Sequence, residues 1–223
     1  MAQRFSCYDE LGPFVRPGLP HTSSALMPNT TTFTLRPLAP TDTSAVQRLW
    51  SDRFGGAAAT QHNWIEAALN SSRTTVGIVA VAPPGDVIVG ASFLETGGRA
   101  YTREYLGLDT LDLQVPLADR NGLFHLSCVR ADWEGRGIGS TFYEHRLAVL
   151  ADRDVPRAFG IAWHRSAPVD SRVLFENHDF TQLTTAERYY SRTGTRPNCP
   201  ACTGRCTCTA SLYGRTIARL DNS

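Results

Sequence analysis

The central part of the chain alternates between short apolar runs and segments whose apolar residues recur at helical spacing. Runs of strand length predict strands at residues 32–36, 74–81, 87–94, 123–129 and 158–163. Helical periodicity and cap residues predict helices at about residues 41–54, 60–70, from 138 onward and 169–177. Later runs predict a last strand pair at residues 180–183 and 187–191, and one more strand at 211–218. This succession predicts an α/β chain.

The stretch over residues 123–147 carries the most specific pattern. Its apolar run is followed by three glycines at alternate positions, Gly135, Gly137 and Gly139, and then by a helix. A glycine-rich turn before a helix N-terminus binds anions, because backbone N–H groups can approach a phosphate closely. A Walker loop requires lysine, but all 22 cationic residues are arginine. A dinucleotide-binding loop has a G-x-G-x-x-G spacing, which differs from the G-x-G-x-G spacing of this stretch.

This stretch resembles motif A of the GCN5-related N-acetyltransferase (GNAT) superfamily. Val129 ends the strand, Ala131 follows it, and Glu134 opens the segment Glu-Gly-Arg-Gly-Ile-Gly. Glu134 stands where the family usually has Arg or Gln. The resemblance extends over about residues 32–192. It implies an α/β (α+β) fold with a mixed, mostly antiparallel sheet that is flanked by helices.

The resemblance also implies acetyl-CoA, or another short acyl-CoA, as the cosubstrate. In the family the strand backbone polarises the thioester carbonyl, and the glycine loop holds the pyrophosphate. Mapped onto this sequence, the residues expected to bind the cosubstrate are Cys128, Val129, Arg130, Arg136, Gly137, Ile138, Gly139, Ser140 and Thr141.

Members of the family pass the acyl group directly to an amine, which implies a base that deprotonates the amine. His125 is the first candidate, because strand alternation puts it on one face with Ser127 and Val129 and because imidazole titrates near neutrality. Glu95 and His164, at the ends of neighbouring strands, are rival candidates. His125 could equally be a buried core histidine, and the other two could be polar strand ends.

The resemblance does not supply the usual acid for protonating the leaving thiolate. Residues 174–180 resemble the family's motif B, but Phe175 stands where the family commonly has a proton-donating tyrosine. Tyrosines that could substitute by residue type are Tyr143, Tyr189 and Tyr190. We retain Tyr190 as the candidate for the catalytic set.

Four cysteines lie within ten residues, as Cys199, Cys202, Cys206 and Cys208. Four thiolates at this spacing are typical of a structural zinc knuckle, and the alternatives are an iron–sulfur cluster, disulfides or redox-active thiols. A four-cysteine site has no open coordination position, so we expect the metal to stabilise rather than to catalyse. The knuckle either staples a C-terminal extension or forms a small basic recognition module.

The sequence divides the chain into three regions, and the central region contains an insertion. Residues 1–30 form an N-terminal arm that could mediate a homodimer, residues 31–192 form the GNAT-like domain, and residues 193–223 form the knuckle extension. Within the domain, residues 96–121 are an insertion that we expect to lie over the acceptor site, where Tyr101 and Tyr105 are candidate substrate contacts.

Composition narrows the partners and the location. The net charge of +1 argues against a nucleic-acid partner, and no apolar run has the length of a membrane helix. The first residues lack the apolar core of a signal peptide, so we expect a cytoplasmic protein. The leading hypothesis is an acyl-CoA-dependent N-acetyltransferase acting on a small-molecule or peptide amine. The alternative is a non-catalytic acyl-CoA-fold protein that uses its knuckle to bind a macromolecular partner.

Overall fold

The computed structural model describes residues 32–70, 74–164, 170–194, 199 and 201–217. Within these residues seven strands form one sheet, and they are β1 (Thr34–Pro37), β2 (Thr75–Ala82), β3 (Val87–Gly98), β4 (Arg120–Val129), β5 (Arg157–Trp163), β6 (Thr181–Ala186) and β7 (Ala210–Thr216). Their order is β1-β2-β3-β4-β5-β7-β6. Only β4 and β5 are parallel, while the other neighbours are antiparallel. The predicted mixed, mostly antiparallel sheet is confirmed.

Helices cover both faces of this sheet. They are α1 (Thr43–Phe54), α2 (Ala58–Leu69), α3 (Arg99–Tyr105), α4 (Ile138–Asp152), α5 (Ser171–Asn177) and α6 (Tyr189–Thr193). Val46 of α1 and Ile65 of α2 are buried in one cluster with Cys128 of β4. Leu150 of α4 is buried in a different cluster, with Phe124 of the same strand. The apolar stripe of each helix thus explains which face of the sheet it covers.

Strands β4 and β5 pair only near their beginnings. Their register joins residues Gly122–Phe124 to Ala158–Gly160, whereas β4 runs on to Val129 and β5 to Trp163. Beyond the paired residues, the backbone groups on the facing edge of β4 have no partner on β5. The separation leaves a cleft between the carboxyl ends of the two parallel strands.

Strand β4 contains a β-bulge close to this cleft. Residues 92–94 of β3 oppose residues 124–127 of β4, so β4 has one residue more than its partner. The extra residue falls at His125 and Leu126. A bulge of this kind bends the strand and redirects its side chains.

The bulge corrects the side-chain alternation that we predicted for β4. Leu126 and Cys128 pack in the cluster that contains α1 and α2 residues, and the ring of His125 contacts Trp64 of α2. Val129 instead packs with α4 residues. His125 and Val129 therefore lie on different faces, because the bulge shifts the alternation by one residue.

The strand predicted at residues 187–191 is wrong, since this segment forms a turn and α6. Tyr189 and Tyr190 are adjacent, yet they are only 0% and 8% exposed. Two neighbouring side chains can both face the core from a helix more readily than from a strand. The Tyr189 hydroxyl donates to the Leu106 carbonyl oxygen at 3.2 Å, which ties α6 to the loop after α3.

The strand predicted at residues 211–218 is present as β7, and it lies between β5 and β6. Its register with β5 runs from Arg157–Thr216 to Trp163–Ala210. The cysteine-rich segment therefore connects α6 to an interior strand of the sheet. It is not an appendage that follows a completed sheet.

Some expectations concern parts of the chain that the structure does not describe. The N-terminal arm over residues 1–30, and any dimer contact through it, lie outside the described residues. Among the residues that are described, no helix combines the length and the apolarity that crossing a bilayer requires.

Candidate active site

A cavity of about 690 Å³ occupies the cleft between the separated ends of β4 and β5. The residues at one end, here called the loop end, precede and begin α4, and they are residues 133–135 and 137–140. A second group of lining residues, here called the aromatic end, consists of Trp50, Phe54, Trp64, Tyr105 and His125. The two ends differ in chemistry, because one offers backbone N–H groups and the other offers rings and an imidazole.

The loop end is shaped by glycines and a helix N-terminus. Gly137 is the N-cap of α4 and has a φ of 85°, which is the left-handed region that favours glycine. A Cβ on Gly137 would meet no atom within 4 Å, so open space lies in front of it. The N–H groups of Ile138, Gly139 and Ser140 begin the helix and have no intrahelical acceptor. Such a helix start can bind a phosphate group.

Most of the residues predicted to bind the cosubstrate line this cavity, namely Cys128, Val129, Gly137, Ile138, Gly139 and Ser140. Three do not line it. Arg130 binds the Asp132 carboxylate through Nε at 2.6 Å and Nη2 at 2.7 Å. The Arg136 guanidinium lies over the Trp133 ring, 4.6 Å from its centroid. Thr141 donates its hydroxyl to the Gly137 carbonyl oxygen at 3.1 Å.

Glu134, the unusual residue of the glycine loop, forms an ion pair with Arg53 near the end of α1. Both side chains line the cavity, and they are 20% and 21% exposed. A lone carboxylate at this position would repel a phosphate. The guanidinium of Arg53 compensates the charge of Glu134, so the loop end remains suitable for an anion.

At the aromatic end, His125 and Glu95 form one hydrogen-bonded pair, although the sequence presented them as rivals. The Nε2 of His125 lies 3.1 Å from Oε2 of Glu95, and the Tyr101 hydroxyl donates to the same oxygen at 2.7 Å. Burial raises the pKa of Glu95, but hydrogen bonds from His125 and Tyr101 outweigh this effect, and the pKa is lowered. Glu95 is therefore an ionised acceptor, which places the proton of neutral His125 on Nε2 and leaves the lone pair on Nδ1.

His125 is enclosed by aromatic rings. Only 9% of its side chain is exposed, and its ring centroid lies 3.8 Å from that of Trp64 and 4.6 Å from that of Tyr105. Burial lowers the pKa of His125, and Glu95 offsets part of this effect. The imidazole is thus neutral at pH 7 and able to accept a proton. No described residue forms a hydrogen bond with its Nδ1.

A buried arginine of α4 supports the bulge that presents His125. Arg146 is 0% exposed, and its Nη1 donates to the carbonyl oxygen of Phe93 at 3.4 Å. Phe93 is the residue opposite the bulge, where the ladder of backbone hydrogen bonds is interrupted. The guanidinium also lies 4.1 Å from the centroid of the Phe124 ring, the residue before the bulge. Arg146 therefore supplies a hydrogen bond at a point where the sheet cannot.

The other predicted catalytic residues have different surroundings. His164 does not line the cavity. Its Nε2 hydrogen-bonds the Ser211 hydroxyl of β7 at 2.8 Å, and burial lowers the pKa of His164. Tyr190 lines the cavity and is 8% exposed. Phe175 lines it too, with its ring centroid 5.2 Å from that of Tyr143. The site thus brings together His125, backed by Glu95, and Tyr190, but not His164.

Solved structures share this succession of strands and helices. Arabidopsis thaliana NAA60 in complex with acetyl-CoA superimposes with a TM-score of 0.63 at 13% identity, over 83% of this chain and 99% of that one. An acetyltransferase of the GNAT family from Streptococcus pneumoniae gives 0.56 at 13% identity, over 84% and 100%. The ribosomal-protein-S18-alanine N-acetyltransferase from Escherichia coli gives 0.56 at 15% identity, over 86% and 98%. The chain has the GNAT fold.

The sequence comparisons add nothing to this similarity. No protein-family sequence model and no curated protein sequence matches the chain. At 13–15% identity the shared fold does not assign roles to individual residues, which depend instead on the geometry of the site.

Beside the cavity of this GNAT fold, four cysteines converge. The sulfurs of Cys199, Cys202, Cys206 and Cys208 all lie within 4.8 Å of one another. Cys208 Sγ is 3.6 Å from that of Cys199 and 3.5 Å from that of Cys202, which is too long for disulfides of about 2.05 Å. Four thiolates around one zinc ion, each about 2.3 Å from it, stand about 3.8 Å apart. The donor set and its spacing therefore fit a four-thiolate metal site.

The cysteine cluster is continuous with the wall of the cavity. Cys199 and Cys206 are buried in the same apolar cluster as Trp163 and Tyr190. These two aromatic residues line the cavity. A metal bound by the cysteines would therefore lie directly behind the cavity wall.

Sequence reasoning missed several residues of this site. It gave no role to Trp64, Arg53 or Arg146. Arg53 precedes Glu134 by 81 positions, and no local pattern links two such distant residues. Two tyrosines of the predicted insertion do contribute to the site. Tyr105 lines the cavity, and the Tyr101 hydroxyl donates to Glu95.

Proposed function

We propose that the chain is an acyl-CoA-dependent N-acyltransferase, which moves an acetyl or other short acyl group to a primary amine by direct attack in a ternary complex. One observation carries the proposal: a single cavity joins a glycine-rich helix start to a buried, neutral His125 that is paired with Glu95. The loop end suits a pyrophosphate, and the aromatic end suits deprotonation of an amine. A protein that only bound acyl-CoA would not need the second feature.

The proposed reaction begins with the loss of one proton from the ammonium to Nδ1 of His125. The free amine then attacks the thioester carbon, which forms the C–N bond and puts negative charge on the carbonyl oxygen. The β4 backbone around Cys128 and Val129, beyond the residues that pair with β5, is the proposed donor that stabilises this oxyanion. When the tetrahedral intermediate collapses, the C–S bond breaks and the sulfur takes the electron pair.

The departing thiolate receives the second proton of the nitrogen, so the products are the amide and the free thiol of CoA. Tyr190 is the proposed relay for this proton, because its side chain belongs to the cavity wall. Phe175, at the position where a tyrosine is usual, has no proton to give. The imidazolium of His125 returns its proton to solvent to complete the cycle.

We also propose that Cys199, Cys202, Cys206 and Cys208 hold a structural zinc ion. The cysteine spacing and the convergence of the four sulfurs support this assignment. Such an ion would cross-link the loop between α6 and β7 and would take no part in the reaction of the substrate.

The function is tested with acetyl-CoA and a panel of primary amines. We expect acetyl-CoA to raise the melting temperature, and we expect mass spectrometry to detect acetylated amine. Mass spectrometry is preferred to a thiol reagent, because the cysteines of the protein would react with the reagent. Stabilisation by acetyl-CoA without any product would favour the non-catalytic alternative, and no stabilisation would contradict both.

A further inference from the structure

We infer that the acceptor is a primary amine carried on an aromatic or otherwise apolar body, an inference that rests on the proposed function. The aromatic end of the cavity presents several aromatic rings to the cavity. The Trp50 ring lies 5.7 Å from that of Phe93, and the Phe54 ring lies 6.3 Å from that of Trp163, measured between centroids. Burying apolar surface against these rings favours an acceptor with a matching apolar body.

The scarcity of acids in the cavity wall selects an acceptor with a single ammonium group. Among the described residues that line the cavity, Glu134 is the sole acid, and it is paired with Arg53. A polyamine or aminoglycoside would bring further ammonium groups into the cavity without carboxylates to receive them. Burying unpaired charges is costly, so such acceptors are disfavoured.

The rings around His125 suit one ammonium group. Trp64 and Tyr105 flank the imidazole, and aromatic faces attract a cation within about 6 Å. The Glu95 carboxylate behind His125 adds favourable charge. The ammonium is thereby placed beside the nitrogen that is to take its proton.

Two polar side chains of the cavity wall, Gln61 and Arg53, are already engaged, which disfavours peptides and amino acids. Gln61 is 1% exposed, and its amide donates to the Gly55 carbonyl oxygen at 3.0 Å and accepts from the Ser51 hydroxyl at 3.0 Å. Arg53, which could otherwise receive a carboxylate, is paired with Glu134. A polar acceptor backbone would therefore lose its water without gaining the Gln61 amide or the Arg53 guanidinium as a partner.

The inference is tested by giving the protein equal concentrations of 2-phenylethylamine, spermidine, kanamycin, lysine and a hexapeptide with a free N-terminus. We expect the kcat/KM for 2-phenylethylamine to exceed that for each of the others at least tenfold. A preference for spermidine, kanamycin, lysine or the peptide would overturn the inference while leaving the acyltransferase function intact.

Binding of the amines to the protein saturated with CoA separates this inference from the proposed function. If no amine is turned over but calorimetry shows that 2-phenylethylamine binds at least tenfold more tightly than spermidine, the function fails and the inference stands. Equal or reversed affinities overturn the inference.

Variants of Trp64 provide the residue-level test. We expect Trp64→Leu to weaken 2-phenylethylamine binding about tenfold, a change equivalent to about 1.4 kcal/mol. We expect Trp64→Glu to shift the preference towards spermidine by supplying a carboxylate. His62→Ala, an exposed position on the same helix, is the control. Unchanged acetyl-CoA affinity verifies that each variant is folded, and an unchanged amine preference in both Trp64 variants overturns the inference.

Discussion

At the level of single residues, the site contains charges that are compensated before any substrate binds. Glu95 is hydrogen-bonded to His125 and Tyr101, and Glu134 is paired with Arg53. Each pair serves one end of the cavity. Compensation within the protein means that the fixed charges need little rearrangement when the substrates arrive.

Replacing Glu95 by Gln removes the carboxylate that raises the pKa of His125. That pKa, already lowered by burial, then falls further. We expect the acidic limb of the kcat/KM profile to move to lower pH, and the plateau to fall about 10- to 100-fold because the imidazole becomes a weaker base. Glu104→Gln, an exposed acid on α3, is the control. An unchanged plateau would show that Glu95 does not assist catalysis.

The pairing of Arg53 with Glu134 predicts a non-additive effect on acetyl-CoA affinity. Arg53→Ala leaves an uncompensated carboxylate at the loop end, so we expect the Kd for acetyl-CoA to rise about tenfold, or about 1.4 kcal/mol. Adding Glu134→Gln should restore most of this loss, because the repulsion disappears. Calorimetry on the two single variants and the double variant measures the coupling. Additive losses would contradict the proposed compensation.

At the level of strands and helices, the cleft arises from two local departures from regular structure. Strands β4 and β5 separate after three paired residues, and β4 bulges opposite Phe93. The first departure makes room for a cosubstrate, and the second turns His125 towards α2 and α3. Arg146 links the two features, since it belongs to α4 and donates to Phe93 at the bulge.

The start of α4 offers a prediction with a matched control. Gly137 and Gly85 have φ values of 85° and 77°, and a Cβ added to either glycine would meet no atom within 4 Å. Alanine at either site should cost about 1–2 kcal/mol of unfolding free energy, through backbone strain alone. We expect only Gly137→Ala to weaken acetyl-CoA binding as well, because only Gly137 lies in the cavity wall. Equal affinities of the two variants would argue against the loop end as the pyrophosphate site.

At the level of the whole molecule, the cysteine cluster belongs to the construction of the sheet. It connects α6 to β7, and β7 hydrogen-bonds to both β5 and β6. Two of its cysteines also share an apolar cluster with Trp163 and Tyr190 of the cavity wall. Fixing this loop therefore affects both the stability of the sheet and the shape of the cavity.

Loss of the proposed zinc ion should destabilise the whole fold. At a free zinc concentration about a thousandfold above Kd, binding contributes about 4 kcal/mol, so we expect chelation or Cys202→Ser to lower the melting temperature by about 10 °C. Calorimetric scans with and without added zinc, combined with metal analysis, measure this change. Arg205→Ala in the same loop is the control. A melting temperature that is insensitive to chelation, in a protein that contains no zinc, would refute the assignment.

Local sequence patterns were sufficient to predict the features that depend on neighbouring residues. The apolar run and glycines of residues 123–139 specified a strand, a turn and a helix start, and the spacing of four cysteines indicated that their sulfurs converge. These patterns can be interpreted locally, because the conformational freedom of glycine and the spacing of neighbouring cysteines depend only on nearby residues. The fold class followed from the same segments, because their order matched that of a known fold.

Features that depend on contacts between distant residues were decided only by the tertiary structure. The bulge in β4 arises from pairing with β3, and it overrode the alternation that the sequence of β4 suggested. The partner of β6 proved to be β7 rather than the adjacent segment, which forms α6 and buries Tyr189 and Tyr190. The pairs His125–Glu95 and Arg53–Glu134 likewise join residues that are far apart in the chain, and folding alone brings them into contact.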